Sequence, residues 1–211
     1  MSIKTQGTAV AIETALAATK TITAITAASP PVVTSTSHGY ANGDIVKITG
    51  VVGMAEVNDR AFVVSATTTD TYALKGVDST NYTTYVSGGT AAKATVTPVG
   101  KVEGIPTLFA GQAQTINTTH LKSLRQETIQ GLGVAGTLSL NLQLEDADPG
   151  QLAMQDANER QVEKVYTFTR SDAKVACCVA FCDSFSMAAA ANDIYRVSAS
   201  LTLRASPTRF A

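Results

Sequence analysis

The clearest pattern in the chain is the alternation Thr137-Leu-Ser-Leu-Asn-Leu-Gln-Leu144. Successive side chains of a strand point to opposite faces. Leu138, Leu140, Leu142 and Leu144 therefore predict one buried face, and Thr137, Ser139, Asn141 and Gln143 a wet, uncharged one. Residues 195–204 repeat the scheme, with Tyr195, Val197, Ala199, Leu201 and Leu203 opposing Arg196, Ser198, Ser200, Thr202 and Arg204. Segments 164–170 and 174–181 complete a predicted antiparallel set of four. Near the start, Thr8, Val10 and Ile12 share a parity and predict a short strand over 7–13.

One helix is signalled between these strands. Asp148 suits the cap, Pro149 the first helical position, and Gln151 the place where a capping box puts Glu or Gln. The expected helix runs over 149–159, with Leu152, Ala153, Met154 and Ala157 packing on the leucine face. From about residue 20 to 96 the texture changes to short β-branched runs at 21–27, 32–36, 44–50, 61–66, 71–75 and 91–97. Pro30-Pro31, Asn42-Gly43-Asp44, Asn58-Asp59 and Gly88-Gly89 supply turns between them. This stretch reads as a compact all-β module.

The 211 residues carry sixteen Lys and Arg against seventeen Asp and Glu, a formal net charge of -1. That balance argues against a strongly basic nucleic-acid binder and against an acidic solvating tail. Charged residues make up only 16% of the chain, below the usual figure of about 25%, which suits burial against other copies. No apolar run approaches the roughly 18 residues of a membrane span, so no membrane insertion by this chain is expected. Glu13 interrupts the Ala-rich stretch 9–18, so export by a signal sequence there is not expected.

Chemistry-bearing motifs are sparse. Cys177, Cys178 and Cys182 are the three cysteines. Cys178 and Cys182 share a strand face but sit roughly 13 Å apart at about 3.3 Å per residue, beyond the roughly 7 Å limit of a disulfide. They read as buried small hydrophobes. His38 and His120 lie far away in sequence, so no metal centre is expected. Neither a nucleophile elbow, a zinc-protease helix nor a phosphate loop is present, and Gly131-x-Gly133 leads into a strand rather than a helix. The chain is expected not to be an enzyme and to need no cofactor. Glu145, Asp146 and Asp148 read as a helix cap and solvated strand end, with an acidic rim facing an anionic passenger as the alternative. His38-Gly39-Tyr40 reads as a turn with an aromatic plug. Tyr72, Tyr82 and Tyr85 are open to packing or to stacking on sugars. Residues 117–131 are polar and partly charged, with His120, Lys122, Arg125 and Glu127 set among Leu121, Leu124 and Ile129. A loop of that length with spaced apolar residues predicts docking on another chain.

Taken in order, several segments resemble the major tail tube proteins of long, non-contractile-tailed bacteriophages. They are Leu124-Arg-Gln-Glu-Thr-Ile-Gln-Gly131, the strand ending at Leu144, Asp148-Pro-Gly-Gln-Leu-Ala153, Tyr166-Thr-Phe168 and the closing run from Asp193 to Pro207. Segment 37–46 with Lys47, then 61–64 and 72–78, are similar to the first catalytic-cysteine half-domain of ubiquitin-activating enzymes. That likeness concerns fold, since no cysteine lies in the module.

The resemblance implies a mainly β fold with one short helix: a tail-tube-type antiparallel β-sandwich or barrel from residues 1–20 and 97–211, with a small inserted all-β domain at 21–96 facing outward. It implies a structural virion protein that polymerises as stacked hexameric rings. Its partners would be copies of itself, the tail terminator, distal tail and tape measure proteins, with DNA passing through unbound. Leu121, Lys122, Leu124, Arg125, Glu127 and Ile129 are the expected ring-stacking or intersubunit residues. Ser139, Asn141, Gln143, Glu145, Asp146, Ser198, Ser200 and Thr202 are the expected lumen-facing ones. The competing expectation is a carbohydrate- or cell-surface-binding β-protein of a phage particle, with the 21–96 module as the binder.

Overall fold

The computed structural model describes residues 6–104, 106–109, 111, 113–122, 124–133, 136–190 and 193–211. Strands come first in chain order: β1 (Ala9–Leu16), β2 (Lys20–Thr21), β3 (Ala24–Ile25), β4 (Val32–Thr34), β5 (Ile45–Val52), β6 (Arg60–Ser65), β7 (Thr71–Leu74) and β8 (Ser87–Pro98). Then follow β9 (Ala113–Asn117), β10 (Thr128–Gly133), β11 (Thr137–Gln143), helix α1 (Pro149–Arg160), β12 (Glu163–Thr169), β13 (Val175–Ala188) and β14 (Arg196–Leu203). A short 3-10 turn at Ala55–Val57 lies between β5 and β6, and mainly β with a single α-helix among the described residues is the class expected from the alternation.

One antiparallel sheet carries the fold, in the order β11-β14-β13-β12-β1-β8-β5-β6-β7-β4-β3, with β2 on β8. The long strand β8 joins its two halves. Its later residues, Ala94 to Pro98, pair with β1, and its earlier ones pair with β5. The sheet curls into a half-barrel, because Ile45, Ala61, Val63 and Ala94 from β5, β6 and β8 pack on Val165, Cys177 and Val179 of β12 and β13. Strands this far apart in sheet order meet only if the sheet bends back on itself.

The opposite face of β1 and β11–β14 holds the largest core. Val10, Ile12, Leu138, Leu140, Leu142, Tyr166, Phe168, Val197 and Leu201 pack there with Met154 and Ala157 of α1. Each fully buried leucine contributes about 1.5–3 kcal/mol by leaving water. A second core fills the module around Phe62, Tyr72, Leu74, Ile48 and Met54. The alternation sorts the cysteines as expected. Cys178 and Cys182 enter the main core and Cys177 the opposite one, all free and buried.

Helix α1 starts where the sequence places it, with Asp148 Oδ1 accepting from Gln151 N at 2.7 Å. Gln151 does not close a reciprocal capping box. Its buried side chain accepts from Glu145 N and donates to Gly100 O and Gln143 O, clasping the helix to the end of β11. Gly150 lets the helix come this close, since a Cβ there would lie 2.4 Å from Pro98 O. Leu152 is corrected: it is half exposed, because the buried stripe runs through Gly150, Gln151, Met154 and Ala157, and Leu152 is more than half a turn round from Met154.

Candidate functional site

The expected docking loop at 117–131 is a hairpin rather than a structureless loop. β9 and β10 form a separate two-stranded sheet, with Ile129 opposite Ile116 and Thr128 opposite Asn117. Thr118 N donates to Glu127 O, and Glu127 N donates to Thr119 Oγ1, tying the base of the turn. Cross-strand pairing overrode the turn-like composition. Lys122, Arg125 and Glu127 are exposed, and Leu121 and Leu124 at the tip are wholly so, at 107% and 100%. Ile116, Ile129 and Leu132 are also exposed, although a cross-strand isoleucine pair gains most when something covers it. An isolated two-stranded hairpin is marginal in water. Ile116 and Leu132, outside or at the edge of the window read from sequence, extend the apolar surface along the whole arm.

The polar residues expected to face a channel do form one wall. Across β11 and β14, Ser139 pairs with Ser200, Asn141 with Ser198, Thr137 with Thr202 and Gln143 with Arg196. β13 extends it, with Ser184 opposite Ser200 and Ser186 opposite Ser198, where Ser186 Oγ donates to Ser198 O at 3.1 Å. Ser184 and Ser186 escape sequence reading because the register shifts between Cys182 and Ser184 and breaks the parity. Ser139, Asn141 and Ser198 are exposed, while Gln143, Ser200 and Thr202 are half-buried.

Charges sit at the ends of this wall. At one end, Arg196 lies 3.2 Å from Glu103 and 2.7 Å from Asp193, and Gln143 Nε2 donates to Glu103. The Ile194 N–H, and after it Arg196, hold the Asp193 carboxyl below the ordinary carboxylate range. At the other end Thr202 Oγ1 donates to Asp183. β11 stops at Gln143, and the exposed Glu145 and Asp146 fall in the connection to α1, next to the capping Asp148, whose Oδ2 accepts from Gly100 N.

A charged seam joins the module to the rest. Lys47 of β5 lies 2.5 Å from Glu163 of β12, and Arg204 reaches both Asp59 at 3.0 Å and Glu163 at 3.3 Å. Glu13 is buried here. Its Oε2 accepts from Val165 N at 3.1 Å and its Oε1 lies 3.8 Å from Lys164. Burial, outweighing these partners, raises its carboxyl above the ordinary 4.5. Arg196 and Arg204 thus both pair with carboxylates.

His38, Tyr72, Tyr85 and the cysteines have structural places. His38 is buried, its Nδ1 accepts from Tyr40 N, and its Nε2 lies 3.2 Å from Thr71 O. Its ring lies 5.0 Å from those of both Tyr40 and Tyr72, forming the expected aromatic plug. Tyr72 is fully buried and cannot stack on a sugar, and Tyr85 OH is bonded to Ile22 O and Gly88 O. Burial pushes the Cys177 thiol up to about 12 and Cys182 to about 11, so neither is a nucleophile at neutral pH.

Residues 29–94 match the family described as the ubiquitin-activating enzyme E1 FCCH domain. The match falls within the module and leaves the arm, the wall and α1 uncovered. No curated protein matches the chain.

Proposed function

We propose that the chain is a structural subunit of a phage tail tube, polymerising as stacked hexameric rings around a channel for DNA. The observation that carries this reading is the arm: Ile116, Leu121, Leu124, Ile129 and Leu132 stand exposed on a hairpin that, among the described residues, joins no other strand. Exposed apolar groups concentrated on one projecting element mark an interaction site. Tail tube proteins, which the order of segments resembles, use copies of themselves as that partner. A heterologous contact that closes on rotation makes a ring, and ring-on-ring contacts make an open filament.

The serine, threonine and asparagine wall suits the inner surface of such a tube. Lysines and arginines facing DNA would hold it through counterion release and slow its passage. Arg196, the cation at the wall's end, is offset by Glu103 and Asp193. The terminator, tape measure and distal tail proteins are the partners this reading implies at the tube ends, and the virion is its location.

The test is negative-stain electron microscopy across a concentration series, with Leu124→Asp beside the wild type. The expected result is rings or tubes of uniform width for the wild type, and for the variant a folded species with an unchanged thermal midpoint that no longer assembles. Full-length tubes from Leu124→Asp would remove the arm from the mechanism. Wild-type monomers that persist at every concentration would remove the tube.

A further inference from the structure

A polar cleft lies between the module and residues 206–211. That last segment is pinned along the start of β13. Thr208 N donates to Cys177 O, Cys177 N to Thr208 Oγ1, and Ala211 N to Val175 O. The facing wall is residues 76–82 with Arg60 of β6, and the cavity measures about 490 Å³, within the range of small-molecule sites. Arg60, Asp78, Asn81, Tyr82, Ser206 and Arg209 supply its functional groups. A neighbouring depression shares Asp78 and Arg209 and adds Lys75.

The arginines are unusual in what they do not touch. The chain has seven. Arg160, Arg170, Arg196 and Arg204 each pair with a carboxylate, and Arg125 sits in the turn of the arm. Arg60 and Arg209 have no carboxylate within ion-pair distance among the described residues, and both line this cleft. Arg60 commits one nitrogen, Nη1, to Glu56 O at 3.2 Å and Tyr82 OH at 3.4 Å, while its Nε is buried without a partner. A guanidinium offers five donors in a fork matched to a carboxylate. Asp78 is the one acid in the lining. Thr80 donates to it from both N and Oγ1, which holds its carboxyl below the ordinary range. It stays ionised and able to accept from hydroxyls.

We propose that this cleft binds an acidic saccharide. Arg60 and Arg209 take its carboxylate, Asp78, Asn81 and Ser206 take its hydroxyls, and the half-buried Tyr82 presents a ring for the sugar face. The site shares no lining residue with the arm.

The test titrates the full chain carrying Leu124→Asp, and separately the wild type below any assembly concentration, with glucuronate by calorimetry. Glucose, acetate and inorganic phosphate are run alongside. Saturable one-to-one glucuronate binding is expected in both proteins. Arg209→Gln is expected to weaken it on the order of tenfold or more, the loss of a charged hydrogen bond. Arg209 is exposed, so an unchanged thermal midpoint shows that the variant remains folded. Arg60→Gln is expected to act in the same direction. Three results would each overturn the proposal: no saturation by glucuronate, phosphate or acetate binding as tightly as glucuronate, or glucose doing so. Loss of tubes without loss of glucuronate binding would bear on the assembly reading alone.

Discussion

Removing the Gln151 side chain tests how the helix is fastened to the sheet. The buried amide accepts from Glu145 N at 3.0 Å and donates to Gly100 O at 3.2 Å and Gln143 O at 2.9 Å. In Gln151→Ala one N–H and two carbonyls lose their partner together. Each net hydrogen bond is worth about 1 kcal/mol, and an unsatisfied buried group costs about 1–3 kcal/mol, so water entering the gap still leaves a loss of about 3 kcal/mol. For a chain of this size that corresponds to a fall in thermal midpoint of about 6–12 °C. Urea unfolding followed by circular dichroism reads it directly. Gln151→Glu sharpens the test. It keeps the acceptor for Glu145 N but turns a carboxyl toward two carbonyls, with Glu145 and Asp148 nearby. Both burial and like charge raise the folded-state pKa of that carboxyl, so its penalty should be small at pH 4 and grow as pH rises through that value. A loss below about 0.5 kcal/mol in Gln151→Ala, or a pH-independent penalty in Gln151→Glu, would refute the clasp.

Two further outcomes follow from buried groups. Because burial raises the Glu13 carboxyl above 4.5, its contribution is fully present below that pH and is lost as pH rises through the higher folded value. Glu13→Gln should therefore gain stability relative to wild type on going from pH 4 to pH 8 in paired urea titrations. Parallel profiles would show that Val165 N–H and Lys164 cancel the desolvation. Cys177 and Cys182, with thiols pushed up to about 12 and about 11, should resist a thiol reagent at pH 8 in the folded protein. All three cysteines should react once urea unfolds it, and fast labelling of the native state would contradict the burial.

The strands with regular alternation were legible because one buried face and one wet face leave a period of two in the residues themselves. β11 and β14 fall within one residue of the expected bounds at each end. Asp148 and Pro149 likewise mark the start of α1 through groups adjacent in the chain. β13 runs seven residues past its expected end at 181, since a register shift hides its later serines from any parity rule. The arm's sequence resembles a loop because its strands are polar and short, and a pairing such as Ile116 with Ile129 leaves no periodic trace.

The sequence alone determined the alternating strands β11 and β14, the start of α1, the uncharged face of Ser139, Asn141 and Ser198, and the burial of the cysteines, because each depends on local spacing or on the cost of wetting a side chain. Only the tertiary structure decided what distant residues do to one another. Antiparallel pairing of β1 with β12 set Glu13 beside Lys164, and the bend of the sheet brought Lys47 of β5 to Glu163 of β12. The path of the last six residues closed a cleft around Arg60 and Arg209. Gln151 became a clasp instead of a cap. These contacts join positions up to about 150 residues apart, and their energies depend on geometry that chain order does not encode.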